Sequence, residues 1–251
     1  MGTSAQLLDK LIKENLLSLP ADLKHNAEKG ATTGTVTLAF PYNQGIIMGA
    51  DRQTSCGGKI WRTNSRKIRQ VGKFSAVAGC GTVTMIQLIP EIYEKIIRRM
   101  EWELDEELAL GIRTTIFWDL MRSIAHQLNF DAMAAFIFAG LDPKRKTGAL
   151  LDFGPDGSKF GPEKHHLTSG SGYAEADASL IEYFARATPG KTDLETASRA
   201  AIKAIWRAGQ KDLYVGDPRT QGATLAVIDG KTGFRFLSDE KVNKLIKEVC
   251  K

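Results

Sequence analysis

The sequence predicts an α+β fold of two sheets with helices outside them. Strand-like stretches come in three blocks, separated by two pairs of helical patterns, and such segregation indicates α+β layering in place of alternating parallel units. At 251 residues the chain is long enough for one good core. Apolar residues at 43% and charged residues at 25% are ordinary for a globular chain and speak against global disorder.

Each element has a local signal. Residues 3–18 read as an amphipathic helix, with Ser4 as N-cap, Leu7, Leu8, Leu11, Ile12 and Leu16 at helical spacing, and Pro20 as its stop. Residues 21–34 are polar, end in Gly30-Ala31-Thr32-Thr33-Gly34, and are expected to add little core. This region is either an accessory helix with a linker or a removable segment that covers Thr35. From Thr35, Val36, Leu38 and Phe40 alternate with Thr37 and Ala39, Pro41 to Gly45 form a turn, and Ile46 to Ala50 return as a second strand. That hairpin sets Thr35 and Asp51 at one end. Strands are expected at 66–71 and 73–78, then helices at 82–102, kinked or broken at Pro90, and at 108–128, buried through Ile112, Ile116, Phe117, Leu120 and Ile124. Strands at 133–140, 148–153 and 164–167, helices at 173–187 and 193–210, strands at 223–229 and 233–237 and a short basic helix complete the chain.

Several function classes are poorly supported. The net charge of +5 is spread along the chain, and the densest basic group, Arg62, Arg66, Lys67 and Arg69, lacks interleaved stacking aromatics, so no nucleic-acid partner is expected. Cys56, Cys80 and Cys250 form an odd set without metal spacing, which suits reduced thiols in a cytoplasmic protein. No apolar run reaches the length of a membrane span, and the N-terminus lacks a basic-then-apolar signal. His25, His126, His165 and His166 show no ligand spacing, so no metal is expected. The tripeptides Gly190-Lys191-Thr192 and Gly230-Lys231-Thr232 lack the earlier glycine of a phosphate loop and read as turns. No cofactor is implied, and no serine sits in a Gly-x-Ser-x-Gly elbow.

The chemistry centres on Gly34-Thr35. A threonine hydroxyl is a weak nucleophile without an adjacent base, and cleavage before Thr35 would supply one as its own α-amine. Asp51 lies sixteen residues on and Lys67 thirty-two. Taken alone, an Asp-Lys pair is usually a structural ion pair. Together with Gly170-Ser171-Gly172 and Asp212, these spacings resemble the β-type subunits of prokaryotic 20S proteasomes, from about residue 34 to the C-terminus.

The resemblance implies the four-layer α-β-β-α sandwich of the N-terminal nucleophile hydrolases, with residues 1–34 a propeptide and 35–251 the catalytic domain. It implies a threonine endopeptidase with Thr35 as nucleophile, Lys67 stabilising its alkoxide, Asp51 holding Lys67, Ser171 on the threonine amine, Asp212 orienting that network and the Gly79 N–H as oxyanion donor. The Gly79 N–H, at the end of an apolar strand, is expected to be free. The resemblance places Thr54, Ser65, Arg69, Val77, Gly81 and Met85 around the substrate residue before the cut bond. Val77 and Met85 suggest an apolar preference, which Arg69 would reverse if it pointed inward. Two positions depart from the family pattern: Val215 stands where a serine or threonine is usual, and Gln53 where many relatives have arginine. Implied partners are stacked seven-membered rings of this chain, α-type subunits, a regulatory ATPase and unfolded polypeptide. The alternatives are an inert ring subunit, favoured by Val215, and another N-terminal nucleophile amidase.

Overall fold

A computed structural model describes residues 4–17, 32–56, 59–127, 134–142, 144 and 147–251. Helix α1 (Ser4–Leu17) comes first, followed by strands β1 (Thr32–Thr33), β2 (Thr37–Tyr42), β3 (Gly45–Asp51), β4 (Thr54–Cys56), β5 (Lys59–Arg62), β6 (Ile68–Gly72) and β7 (Ser75–Thr82). Helices α2 (Val83–Leu104) and α3 (Leu110–Gln127) lead to β8 (Ala134–Asp142), β9 (Thr147–Phe153), β10 (Lys159–Phe160) and β11 (Leu167–Ser169). Helices α4 (Tyr173–Phe184), α5 (Leu194–Lys211) and α6 (Pro218–Gln221), strands β12 (Ala223–Asp229) and β13 (Gly233–Phe236), and helix α7 (Asp239–Val249) complete the order.

Among the described residues every strand pairing is antiparallel. One sheet runs β1-β7-β8-β9-β10 with β6 also on β7, a second runs β11-β2-β3-β12-β13, and β4 and β5 form a separate ribbon. Strand alternation divides the apolar residues among three layers. Leu38, Phe40 and Tyr42 of β2 pack with α4, α5 and α7, whereas Ala39 of the same strand faces the other sheet. Val77 of β7 joins α2 and α3, while its neighbours Ala76 and Ala78 face inward between the sheets. The inter-sheet layer is rich in alanine, with Ala39, Ala50, Ala76, Ala78, Ala139 and Ala226 buried there. The expected α-β-β-α order is what forms.

Several boundaries differ from the sequence expectation. The β2–β3 turn is only Asn43-Gln44, since Pro41 and Tyr42 pair with Ile46 and Gly45. Helix α2 runs through Pro90 without a break. Ile112 is about half exposed (48%), because only part of the α3 apolar stripe meets α2 and the sheet. β7 does not stop before Gly79 but continues to Thr82. The β4–β5 ribbon and β10 carry no alternation long enough to announce them. The expected helix stop at Pro20, the polar stretch 21–31, the helix end at Leu128 and the strand start at Met133 lie outside the described residues.

The described N-terminal residues attach to both the helix layer and the sheet edge. Leu11 and Ile12 of α1 are buried in the same cluster as α2 and α3. Thr32 and Thr33 form β1 against Thr82 and Gly81 of β7, an edge strand laid along the sheet just ahead of Thr35.

Phe117 occupies the centre of the helix-side layer, its ring 5.1 Å from Tyr93, 5.6 Å from Phe136, 5.5 Å from Phe138 and 5.0 Å from Phe153. Phe117→Ala is expected to cost about 3–5 kcal/mol through lost burial and an unfilled cavity, read as a shift in denaturant midpoint; a loss below about 1 kcal/mol would contradict this packing.

Candidate active site

The hairpin of β2 and β3 places Thr35 and Asp51 together. Thr37 is in register with Ala50, so the residues just beyond the paired ends meet at one corner of the sandwich. Asp51 N–H donates to the Val36 carbonyl at 3.2 Å, and Val36 N–H donates to Asp51 Oδ1 at 2.9 Å. Thr35 is fully buried, and its hydroxyl donates to Asp51 Oδ1 at 2.9 Å.

Lys67 arrives from the other sheet. Ile68 opens β6 in register with Ala78, and the Lys67 carbonyl accepts from Gly79 N–H at 3.0 Å. That pairing aims the Lys67 side chain at Asp51, where Nζ donates to Oδ1 at 2.6 Å. Burial pushes the Lys67 ammonium below the ordinary lysine range, and its interaction with Asp51 opposes that shift without cancelling it.

The other Asp51 oxygen, Oδ2, accepts Gln53 N–H at 2.9 Å and Gly216 N–H at 3.0 Å. Asp51 thus accepts hydrogen bonds from five donors, contributed by Thr35, Val36, Gln53, Lys67 and Gly216. Gln53, 2% exposed, also donates through Nε2 to Ser55 Oγ and to the Leu213 carbonyl, and its Oε1 accepts from Gln221. In place of an arginine charge, this amide ties the 212–216 loop to the site. The contact from Asp51 to the N–H two residues on is an Asx turn, a pattern present in the sequence but not singled out there.

Thr35 is held from the opposite side by the turn before α4. Its backbone N–H donates to Ser171 Oγ at 3.1 Å, and its carbonyl accepts from Gly172 N–H at 3.1 Å. Gly170 has φ +99°, and a side chain there would run into the Thr35 backbone and methyl group, so only glycine fits against the threonine. Ser171 is the residue that this close approach of Gly170 sets beside the Thr35 nitrogen.

Two expected roles are not matched. Gly79 N–H is not free, because β7 continues past it and Lys67 takes the donor, so it cannot also serve a substrate oxygen in this arrangement. Asp212 does not reach Ser171: its carboxylate accepts Tyr214 N–H at 2.9 Å at the C-cap of α5, and its effect passes through the loop it folds. Val215 is buried among Val36, Ala208 and other apolar residues, and its γ-methyl lies against Gly172. A hydroxyl is absent there, yet the next N–H still serves Asp51.

The expected substrate residues are dispersed. Val77 and Met85 are fully buried in the helix-side core. Arg69 is exposed and donates to the Gln87 carbonyl, so it does not point inward. Thr54 and Ser65 bond to each other at 2.6 Å, and Gly81 pairs with Thr33 of β1. The apolar preference inferred from Val77 and Met85 loses its basis, since those side chains are already used for packing. Cys80 and Cys250 carry free, buried thiols, Cys80 within 3.2 Å of Ser169 Oγ. Among the described residues no helix is long and apolar enough to cross a membrane.

Comparison with known proteins finds relatives over most of the chain. A family model described as "Proteasome subunit" matches residues 31–243. A proteasome subunit beta of Jonesia denitrificans is 29% identical, covering 83% of this chain and 68% of its own length. A proteasome subunit beta 1 of Thermococcus kodakarensis is 25% identical over 85% of this chain and 97% of its own, and that of Thermococcus onnurineus is 27% identical over 85% and 97%. With the match covering Thr35, Asp51, Lys67 and Ser171 in one corner of a layered antiparallel fold, the chain belongs to the proteasome subunit family as a β-type member.

Proposed function

We propose that the chain is a threonine endopeptidase subunit of a 20S proteasome core, made as a precursor that cleaves itself between Gly34 and Thr35. Residues 1–34 are then the propeptide and residues 35–251 the catalytic domain. The observation that carries this reading is the single oxygen, Asp51 Oδ1, that holds both the Thr35 hydroxyl and the Lys67 ammonium.

In self-cleavage, Thr35 Oγ forms a bond to the Gly34 carbonyl carbon, the bond from that carbon to the Thr35 nitrogen breaks, and the hydroxyl proton ends on the nitrogen. Water then splits the ester into a Gly34 carboxylate and a free Thr35 hydroxyl. The exposed α-amine, with a pKa of about 7.7–8.0 in model peptides, is partly neutral near pH 7 and takes the hydroxyl proton in later turnovers, directly or through a water. The nitrogen already faces Ser171 Oγ at 3.1 Å. Lys67 lowers the cost of the alkoxide, and Asp51 fixes the lysine while orienting the hydroxyl.

A free peptidase would endanger other proteins, which suits enclosure. We propose stacked seven-membered rings of this chain flanked by α-type rings, a regulatory ATPase that feeds in unfolded polypeptide, and a cytoplasmic location. A second reading, an inert ring subunit, draws on Val215, whose side chain cannot hydrogen-bond to the amine.

Intact-mass measurement of assembled particles is expected to give a chain beginning at Thr35, and Thr35→Ala a chain retaining residues 1–34 with no hydrolysis of fluorogenic peptides. Full-length wild-type chain in those particles would favour the inert subunit. Small-molecule amide hydrolysis without peptide hydrolysis would instead favour the amidase.

The Lys67 shift predicts a linkage effect of known sign. The folded state releases this proton at lower pH than the unfolded chain, so between the folded value and about 10.4 the unfolded state binds more protons and stability rises with pH. Compared with Lys67→Met, both in a Thr35→Ala background, the reference chain is expected to gain up to about 1.4 kcal/mol per pH unit inside that window. Equal pH dependence of the two denaturant midpoints would count against a depressed lysine.

A further inference from the structure

We infer that Tyr214 makes the self-cleavage selective for glycine at position 34, by filling the space that any larger residue would need. The inference rests on the proposed self-processing and adds the residue that sets its specificity.

Gly34 is buried directly against Tyr214. A methyl group on Gly34 would overlap Tyr214 Cβ outright and come within 2.8 Å of its Cα and its Cγ. Gly34 is not among the glycines with left-handed φ, so alanine could adopt its backbone conformation. The demand for glycine is therefore steric, and the three nearest atoms all belong to Tyr214. Rotation of the tyrosine ring cannot relieve it, because Cα and Cβ do not move with χ1.

Neither side has room to retreat. Thr35, next to Gly34, is held by Asp51, Ser171 and Gly172. The loop carrying Tyr214 is fixed on both flanks: Tyr214 N–H donates to Asp212, the Leu213 carbonyl accepts from Gln53, and Gly216 N–H donates to Asp51. Val215 is packed into the core between them. Asp212 and Gln53 are thereby positioning residues, acting through the loop.

A side chain at position 34 would displace the carbonyl that Thr35 Oγ must reach, and misplacement of a reacting carbon by about 1 Å is enough to cost about 10²-fold in rate. The step affected is the bond between Oγ and the Gly34 carbon, formed as that carbon parts from the Thr35 nitrogen and the hydroxyl proton moves to the nitrogen. The constraint acts on the precursor alone. Once residues 1–34 have left, nothing occupies that space by covalent necessity, so selectivity in maturation is separate from preference among substrates.

The test is a size-swap series in the full-length chain, read by intact mass and N-terminal sequencing, with thermal melts to follow folding. Gly34→Ala is expected to retain residues 1–34, whereas Tyr214→Gly with Gly34 intact loses them. Combining Gly34→Ala with Tyr214→Gly removes the overlap with Cβ and leaves only the 2.8 Å approach to Cα, which a small shift relieves, so cleavage before Thr35 returns, more slowly than in Tyr214→Gly alone. Combining Gly34→Ala with Tyr214→Ala does not restore it, because alanine keeps the obstructing Cβ. Maturation of Gly34→Ala at the wild-type rate overturns the inference alone. So does a Gly34→Ala, Tyr214→Gly chain that stays whole while Tyr214→Gly matures, or a Tyr214→Gly chain that never matures, since the side chain would then be required and not merely in the way. A wild-type chain that keeps residues 1–34 in assembled particles overturns the processing reading, and this inference with it.

Discussion

The carboxylate of Asp51 is the constraint on which the site depends. Its two oxygens collect donors from the two residues ahead of β2, from the turn after β3, from the residue before β6 and from the loop after α5. Those segments belong to both sheets and to a helical connection, so the carboxylate joins parts of the chain that the apolar core alone would leave free to shift. Burying an ion pair costs several kcal/mol per charge in desolvation, and apolar residues of the same volume would usually hold a fold as well or better. Asp51 and Lys67, at 0% and 5% side-chain exposure, are thus poorly explained as stabilising devices. Their geometry is what the proposed chemistry would require, since the Thr35 hydroxyl and the Lys67 ammonium meet on one Asp51 oxygen.

The fold supplies the corner where this happens. Alanines between the sheets let the layers approach closely, and the inward direction of Ala50, Ala78 and Ile68 brings the end of β3 opposite the start of β6. Asp51 and Lys67 stand at the edge of that layer, one from each sheet. The Lys67 carbonyl, taken by Gly79 N–H, fixes the strand end from which the side chain projects. One backbone bond that denies Gly79 an oxyanion role therefore secures the lysine.

What the sequence made legible depends on how local each relationship is. Thr35 and Asp51 could be paired from a hairpin with arms of similar length, because register in an antiparallel pair is a matter of counting. Two sheets with helices outside them were readable from segregated runs of strands and helices, and the four-layer order came from the family resemblance. Pro90 misled as a break because tertiary packing keeps α2 continuous through it, and Ile112 because a helical stripe can be wider than the surface it meets. Gly79 misled because the end of β7 cannot be told from composition when glycines carry the ladder onward. The Gln53 side-chain contacts and the contributions of Gly216 and Tyr214 were not readable, since each depends on a loop about 160 to 180 residues distant in sequence folding back onto the end of β3 or Gly34, whereas the Gln53 N–H on Asp51 is a local turn.

The contacts around Thr35 are divided in a way that bears on maturation. Residues ahead of it are anchored elsewhere, Leu11 and Ile12 in the helix layer and Thr32 and Thr33 on the edge of β7. Thr35 and Val36 are anchored on Asp51, Ser171 and Gly172, and none of those bonds involves an atom before the Thr35 nitrogen. Cutting the bond at that nitrogen would consequently release the leading segment without loosening the residue that did the cutting. A nucleophile held only through its preceding strand would lose its position with its first reaction. Thr35, the proposed nucleophile, is pinned from its own nitrogen onward, so the geometry suited to the proposed self-cleavage would be preserved for later turnovers.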